Sequence, residues 1–348
     1  MVSLIVVVRN AEAIIEDKIQ NFLSLNYPRD HFEIIILSDG SIDQTEKIIS
    51  THKIKSLKFI STPLHLGKSN GLNEAVKNCS GDIIVFSDAD ALLSTNTLYK
   101  IVRHYVNPKI GGISGQRVIY RDNVELKSAQ KTYIKFDSTI KNLESRIGSI
   151  TSNDGKIYSI RRRLFQPIEP AVTDDLYCCH SIIKQKYRFI FEPEARAFIR
   201  APSRNPLHEI LRRRRIVSRS LRGIFLMKEL LNPFRHGFYS IGLAINKVLR
   251  RLLPVCLIFL FLSSSVWSFS NTWITLFFIL QLGVYILALF YPLFIKNISD
   301  DTIFKAKAKK YSSLAWYFCI GNYGTFLGLV DFISGKKIIR WDPIKTNE

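Results

Sequence analysis

Asp82-Ile83-Ile84-Val85-Phe86-Ser87-Asp88-Ala89-Asp90-Ala91 is the stretch on which the reading of this chain turns. Its apolar run, Ile83 to Phe86, has the length of a buried strand. The run ends in two carboxylates, Asp88 and Asp90. On a continuing strand, residues two apart point to one face, so both side chains would meet one ligand. In an open α/β sheet, ligands bind in the crevice beyond the carboxyl ends of the strands. Two hard oxygen donors there suit Mg2+ or Mn2+ and a phosphate-bearing substrate. The plain alternative is a polar turn, since Asp is common in turns. The flanking sequence decides between them.

Strand and helix patterns alternate on the N-terminal side. Residues 4–8 form an apolar strand, and 13–25 show helical spacing of Ile14, Ile15, Ile19, Phe22 and Leu23. Asn26-Tyr27-Pro28 ends that helix. A second strand, 32–37, runs into Ser38-Asp39-Gly40-Ser41, with Ser41 as the cap of a helix over 42–50. A third strand, 57–61, leads through Gly67-Lys68-Ser69-Asn70 into a helix over 72–79. The alternation predicts a three-layer α/β fold on a parallel sheet. Asp39, Lys68, Asp88 and Asp90 then share one edge. Asp39 is placed to accept hydrogen bonds from a base or ribose, and Lys68 to face a diphosphate. No Gly-x-Gly-x-x-Gly follows the first strand and there is no Walker loop, which argues against dinucleotide or ATP binding by those routes.

The 348 residues carry a net charge of +20, and 47% are hydrophobic. The hydrophobic residues are concentrated after residue 252, where 252–269 and 273–295 hold no charged side chain. At roughly 18 and 23 residues, each is long enough for the ~30 Å apolar core of a bilayer. Ser270-Asn271-Thr272 links them as a helical hairpin, with Trp267, Trp273 and Tyr291 near the interfaces. Basic clusters flank the hairpin at Arg250-Arg251 and at 305–310, which puts both flanks in the cytosol. A third apolar stretch, 314–333, contains Asn322, Asp331, Gly321, Gly324 and Gly328; it reads as interfacial or re-entrant, with a transmembrane span as the alternative, and its glycine spacing also suits packing against the hairpin. Residues 225–249 read as interfacial helices. The five cysteines show no Cys-x-x-Cys pattern and read as reduced thiols. The apolar N-terminal residues lack a basic flank and a cleavage site, so a strand is expected there and no signal peptide. The basic runs lack interleaved aromatics, so nucleic acid is not an expected partner.

The first 110 residues resemble family 2 glycosyltransferases, whose nucleotide-sugar domain has the GT-A fold. The matching pieces are Val6-Val7-Val8-Arg9-Asn10-Ala11-Glu12, Ser38-Asp39-Gly40-Ser41-Ile42-Asp43, Gly67-Lys68 with Leu72-Asn73, and Ser87-Asp88-Ala89-Asp90. The opening piece departs from the family's usual Pro-x-Tyr-Asn, with Val7 and Arg9 instead. The resemblance is to the membrane-embedded cellulose, hyaluronan and poly-N-acetylglucosamine synthase-like group. It implies that Val8, Asn10, Glu12, Asp39, Lys68 and Asp88 bind the nucleotide, and that Asp90, with Asp88, ligates Mg2+ or Mn2+.

The resemblance extends further along the chain. Residues 110–120 read as a strand and 127–147 as a polar surface helix. In membrane members of the family a Gly, an apolar strand and Arg-Arg lie near the acceptor; here these are Gly155, then Arg161 and Arg162. Arginines suit a diphosphate or acceptor phosphate. Thr173-Asp174-Asp175 is similar to the family's Thr-Glu-Asp, which makes Asp175 the general base and Asp174 its support. An inverting transfer needs such a carboxylate opposite the leaving diphosphate. Thr173 also reads as a helix cap. Arg212 to Ile216 fits the family's Gln-x-x-Arg-Trp with Arg212 for Gln and Ile216 for Trp; Arg215 keeps the Arg and is the diphosphate candidate. The missing Trp removes an aromatic platform for a sugar and argues against long-polymer synthesis.

These readings give an expected organisation: 1–225 catalytic, 226–251 interfacial, 252–295 a transmembrane hairpin, 296–348 a loop, third apolar segment and tail. The expected activity is metal-dependent, inverting transfer from a nucleotide sugar, a UDP-sugar, to a glycan or lipid-linked acceptor at the cytoplasmic face of the cell membrane. A translocating pore would require a homo-oligomer. The alternative is a non-catalytic membrane protein that binds anionic lipid or a partner through its Arg-rich helix.

Overall fold

The computed structural model describes residues 1–119, 127–199, 205–295 and 303–338. Tyr120, Arg340 and most of the loop and tail expected at 296–302 and 339–348 lie outside the described residues.

The chain begins β1 (Val2–Val8), α1 (Ile15–Leu23), β2 (Phe32–Asp39), α2 (Thr45–Thr51), β3 (Leu57–Thr62), α3 (Lys68–Lys77), β4 (Ile83–Ser87) and β5 (Leu92–Leu93). It continues α4 (Thr97–Val102), β6 (Ile110–Ile119), α5 (Lys127–Ile147), β7 (Ile157–Arg161), α6 (Asp174–Lys184) and β8 (Arg188–Ile199). One sheet holds all eight strands in the order β3-β2-β1-β4-β7-β6-β8-β5. The period-2 pattern of the strands divides the core between two faces. Leu4, Val6, Ile34 and Ile36 pack with Ile15, Ile19 and Phe22 of α1. Ile5, Ile35, Leu37, Ile84 and Phe86 pack with Leu72 and Val76 of α3 and Cys178 and Ile182 of α6.

The sheet is mixed, not wholly parallel as the alternation predicts. β1 to β4 are parallel, but β7 runs antiparallel to β4, with Ser87 opposite Ile157 and Ile83 opposite Arg161. This reversal sets the loop that enters β7 beside the carboxyl end of β4. β8, which the pattern reading does not identify, pairs parallel with β6. Ser41 does not cap α2, which starts at Thr45; the Asp43 carboxylate accepts from Thr45 N instead.

Beyond the sheet run α7 (Pro206–Leu226), α8 (Pro233–His236), α9 (Phe238–Leu243), α10 (Arg250–Trp267), α11 (Thr272–Phe290) and α12 (Ile303–Ile333). Wide π turns over Ala244–Leu249 join α9 to α10. Among the described residues, two helices, Phe238–Trp267 and Thr272–Ile295, are long and apolar enough to cross a membrane. Their large apolar side chains point outward: Phe259, Trp267 and Trp273 are 68%, 61% and 80% exposed.

The third apolar stretch is not re-entrant. It lies in α12, one continuous helix of 31 residues. Its glycines meet α7, not the hairpin. A Cβ on Gly324 would lie 2.8 Å from Ile210 O, and one on Gly328 2.7 Å from Arg214 O. Across the same seam Arg214 pairs with both oxygens of Asp331. Gly324→Val or Gly328→Val should therefore separate the helices and cost roughly 1–3 kcal/mol. Thermal unfolding in detergent measures this, with Gly283→Ala, where a Cβ meets nothing within 4 Å, expected to be near neutral.

Candidate active site

β4 ends at Ser87, so Asp88 and Asp90 sit in a turn, closed by Ala91 N donating to Asp88 O. Strand alternation is thus not what aligns them. They converge because one cation holds both: Lys156 Nζ lies 2.8 and 2.9 Å from the two Asp90 oxygens and 3.0 Å from Asp88 Oδ2. A second cation links the outer pair. Lys68 Nζ is 2.7 Å from Asp88 Oδ1 and 2.9 Å from Asp174 Oδ2. Burial would raise the Asp88 carboxyl, but Lys68 and Lys156 hold it well below the carboxylate range. Both lysines are correspondingly raised above the usual ammonium value, against the effect of burial.

Asp174 and Asp175 open α6. Thr173 precedes them but makes no side-chain cap, so the cap reading of that threonine fails. Asn153 Nδ2 donates to Asp175 O, which fixes the loop ahead of β7 to the start of α6. A Cβ on Gly155 would lie 3.6 Å from Asp175 Oδ2, in ordinary contact. The glycine therefore leaves open space over that carboxylate. The Asp175 carboxyl is pushed up to about 7 by burial and by the charge of Asp174, with Lys68 opposing. A carboxyl poised near neutrality can hold or release a proton at working pH.

Asp39 is buried, and its carboxylate accepts from Leu66 N, Gly67 N and His65 Nδ1 at 2.8, 2.9 and 2.9 Å. It anchors the loop that delivers Lys68. Gly40 has φ +64°, and a Cβ there would lie 2.8 Å from His65 N, so the close approach of this loop requires glycine. Asn10 and Glu12 brace the same edge: Asn10 Oδ1 accepts from Ile42 N, and a Glu12 carboxylate oxygen from Gln44 N. Val8 is buried at the end of β1, opposite Ser38. A groove of about 760 Å3 borders Asp39, Leu64, Leu66, Asn70 and Phe165. It adjoins Asp39 but is not lined by the clustered carboxylates.

Arg161 and Arg162 are not brought to the cluster. Antiparallel pairing sets Arg161 opposite Ile83, at the far end of β4, about 13 Å of strand from Ser87. Arg161 donates to the carbonyls of Tyr105, Asn107 and Ile110, and Arg162 to that of Cys79. They tie loops at the opposite rim. Arg215 does face the cleft. Burial, Arg219 and Arg212 lower its guanidinium to about 10, while Asp88 and Asp174 work against that shift. Arg219 Nε donates to Val172 O beside the acidic pair. Arg212 and Arg213 grip the fully buried Glu209, and Arg213 also reaches the Tyr317 hydroxyl. The Arg-rich helix thus spends much of its charge inside the molecule, which removes the basis for a lipid-binding reading of it.

Two lysines that hold the acidic turn escaped the sequence reading. Lys156 lies directly after Gly155, within a stretch read for its glycine and arginines. Lys18 is fully buried in α1 and donates to Ser87 Oγ and to Ala91 O, spanning the turn that carries Asp88 and Asp90. Burial pushes its ammonium down to about 7, with Asp90 and Asp88 opposing. Its signal was legible: Lys18 shares the helical face of Ile15, Ile19 and Phe22, where a lone cation needs a buried partner.

Two hard carboxylates already sharing a cation fit Mg2+ or Mn2+ by donor chemistry. Among the described residues, no three His, Cys, Asp or Glu side chains gather as a ligand set, so further ligands would come from substrate and water.

The family model for glycosyl transferase family 2 matches residues 3–168. The poly-beta-1,6-N-acetyl-D-glucosamine synthase of Staphylococcus epidermidis is 26% identical over 208 residues, 58% of this chain and 50% of that protein. Its Staphylococcus aureus counterpart is 26% identical over 202 residues, 56% of this chain and 48% of that protein. The chain spans about half the length of these curated relatives. Among solved structures, a mannosyltransferase from Pyrobaculum calidifontis, determined with GDP-Man and Mn2+, has a TM-score of 0.63 and 20% identity, covering 96% of this chain and 87% of that one. Residues 3–168 are thus similar to glycosyl transferase family 2 domains, and the mixed sheet with the helices around it has the GT-A fold of that mannosyltransferase.

Proposed function

We propose that the chain transfers a sugar, with inversion, from a nucleotide diphosphate sugar, a UDP-sugar, to a glycan or lipid-linked hydroxyl. The observation that carries this reading is the meeting of Asp88, Asp90 and Asp174 through Lys68 and Lys156, with Asp175 next to Asp174 at the start of α6. Asp39, Asn10 and Glu12 frame the nucleotide side, and Lys68 and Arg215 supply positive charge for the diphosphate. Asp90 and Asp88 would hold a divalent cation, which neutralises the leaving diphosphate. Asp175 takes the proton from the acceptor hydroxyl, which approaches through the space above Gly155. Asp174, tied to Lys68, raises the basicity of Asp175 by its charge. Of the residues named from sequence for the diphosphate or acceptor, Arg161 and Arg162 take no part.

We assign residues 1–225 to catalysis and 252–295 to a hairpin in the bilayer, with 226–251 and α12 between them. The outward apolar side chains of α10 and α11 support membrane insertion, and the flanking basic residues support a cytoplasmic catalytic domain. The named relatives make an N-acetylglucosamine polymer. Here Ile216 stands where the family has Trp, which favours short or single additions.

Three outcomes test this. Asp175→Asn should lower turnover roughly 10²–10⁴-fold without weakening nucleotide binding, measured by nucleotide release and calorimetry. Because Asp175 works deprotonated and titrates near 7, kcat/KM should fall about tenfold per pH unit below about 7; a flat profile down to pH 5 would remove the base. Leu280→Lys, at an outward-facing position of α11, should cost about 2.5–3.5 kcal/mol of insertion and shift the protein from carbonate-washed membranes to the supernatant.

A further inference from the structure

Lys68 and Lys156 hold Asp88, Asp90 and Asp174 together in the cleft, and Lys18 spans the turn that carries Asp88 and Asp90. Lys156 is bound to both oxygens of Asp90 and one of Asp88. Those oxygens are the ones a divalent cation would use. Its backbone is fixed: Lys156 N donates to Asp154 Oδ1, and its carbonyl accepts from Ser87 Oγ. The side chain alone is left to move.

We propose that Lys156 is an internal counter-ion that makes metal binding depend on the donor diphosphate. Without nucleotide, a divalent cation entering the cleft brings two positive charges beside Lys68 and Lys156 and must displace an ammonium from its own ligands. With nucleotide, the diphosphate brings the matching negative charge and offers Lys156 new oxygens to bind. Metal and diphosphate then enter as a pair, and Lys156 passes from the carboxylates to the diphosphate. The inference rests on the assignment of Asp88 and Asp90 as the metal and donor site. Binding coupled in this way is reciprocal, so nucleotide also binds better with metal.

The test uses the full chain in detergent, with Mn2+ titrated by the electron paramagnetic resonance signal of the free ion. It is repeated with UDP or GDP, whichever calorimetry finds to bind. Wild type should bind Mn2+ alone weakly and gain about tenfold or more with nucleotide. Lys156→Met should bind Mn2+ alone about tenfold more tightly and lose a matching share of the gain. Lys156→Arg, which keeps the charge, should resemble wild type with Mn2+ alone. Circular dichroism melting confirms that each variant is folded; if Lys156→Met is not, Lys156→Gln takes its place.

Unchanged Mn2+ affinity in the folded neutral variant overturns the proposal, and so does a wild type whose Mn2+ affinity is indifferent to the nucleotide it binds. Failure of the nucleotide-sugar reading looks different. Neither nucleotide would then bind, while the neutral variant would still take up Mn2+ more tightly than wild type and so support the counter-ion role.

Discussion

Carboxylates gathered in one half-buried cleft stay ionised only when cations share it. That constraint organises this molecule. Lys68 and Lys156 each bind two of the acidic residues, and each arrives from a different part of the chain. Lys68 comes from the start of α3, held by the Asp39 anchor on the preceding loop. Lys156 comes from the entry to β7, and it reaches the cleft only because β7 runs against β4. A parallel β7 in the same slot would turn Arg161 toward Asp88 and carry Lys156 to the opposite rim. One strand direction therefore decides which basic residues belong to the site.

The balance is uneven within the cleft, and the unevenness is chemically useful. Asp88 is pressed toward the ionised form by two ammoniums. Burial and the repulsion of Asp174 both act on Asp175, which touches neither lysine in an ion pair, so its proton is held far more firmly. Asp88 is thus kept charged, while Asp175 is poised to exchange a proton near neutral pH. The same division of labour appears wherever neighbouring carboxyls are given unlike environments.

Much of this was legible in the sequence. Alternating apolar runs gave the strands from β1 to β4, and the acidic tips fell at their carboxyl ends as the pattern required. The direction of β7 was not legible, because period-2 alternation reads alike in both directions. The error over Arg161 and Arg162 follows directly: a motif was carried along the strand to its wrong end. The convergence of Asp88 and Asp90 was anticipated for a reason that does not hold, since a turn and a shared lysine, not strand pleating, bring them together. Lys18 shows the opposite case. Its position on the apolar helical face of Ile15, Ile19 and Phe22 marked it, although the helical spacing was read from the apolar residues alone.

The glycines of α12 carry the argument beyond the cleft. A stripe of small residues suggests close helix packing without naming the partner. Here the partner is α7, whose inner face presents Arg215 and Arg219 toward the acidic cluster and whose outer face binds Glu209, Tyr317 and Asp331 into a polar seam. α12 also contacts α10 and α11. A single helix thus touches both the apolar hairpin and the helix that lines the cleft. Glu209 is fully buried and satisfied by two arginines and a tyrosine. Removing both arginines would leave the Glu209 charge stranded in a low-dielectric seam, which is far costlier than the contacts are stabilising. That asymmetry holds α7 at a fixed depth against α12. The position of Arg215 beside the acidic cluster is consequently set by packing near the hairpin, and not by the sheet alone.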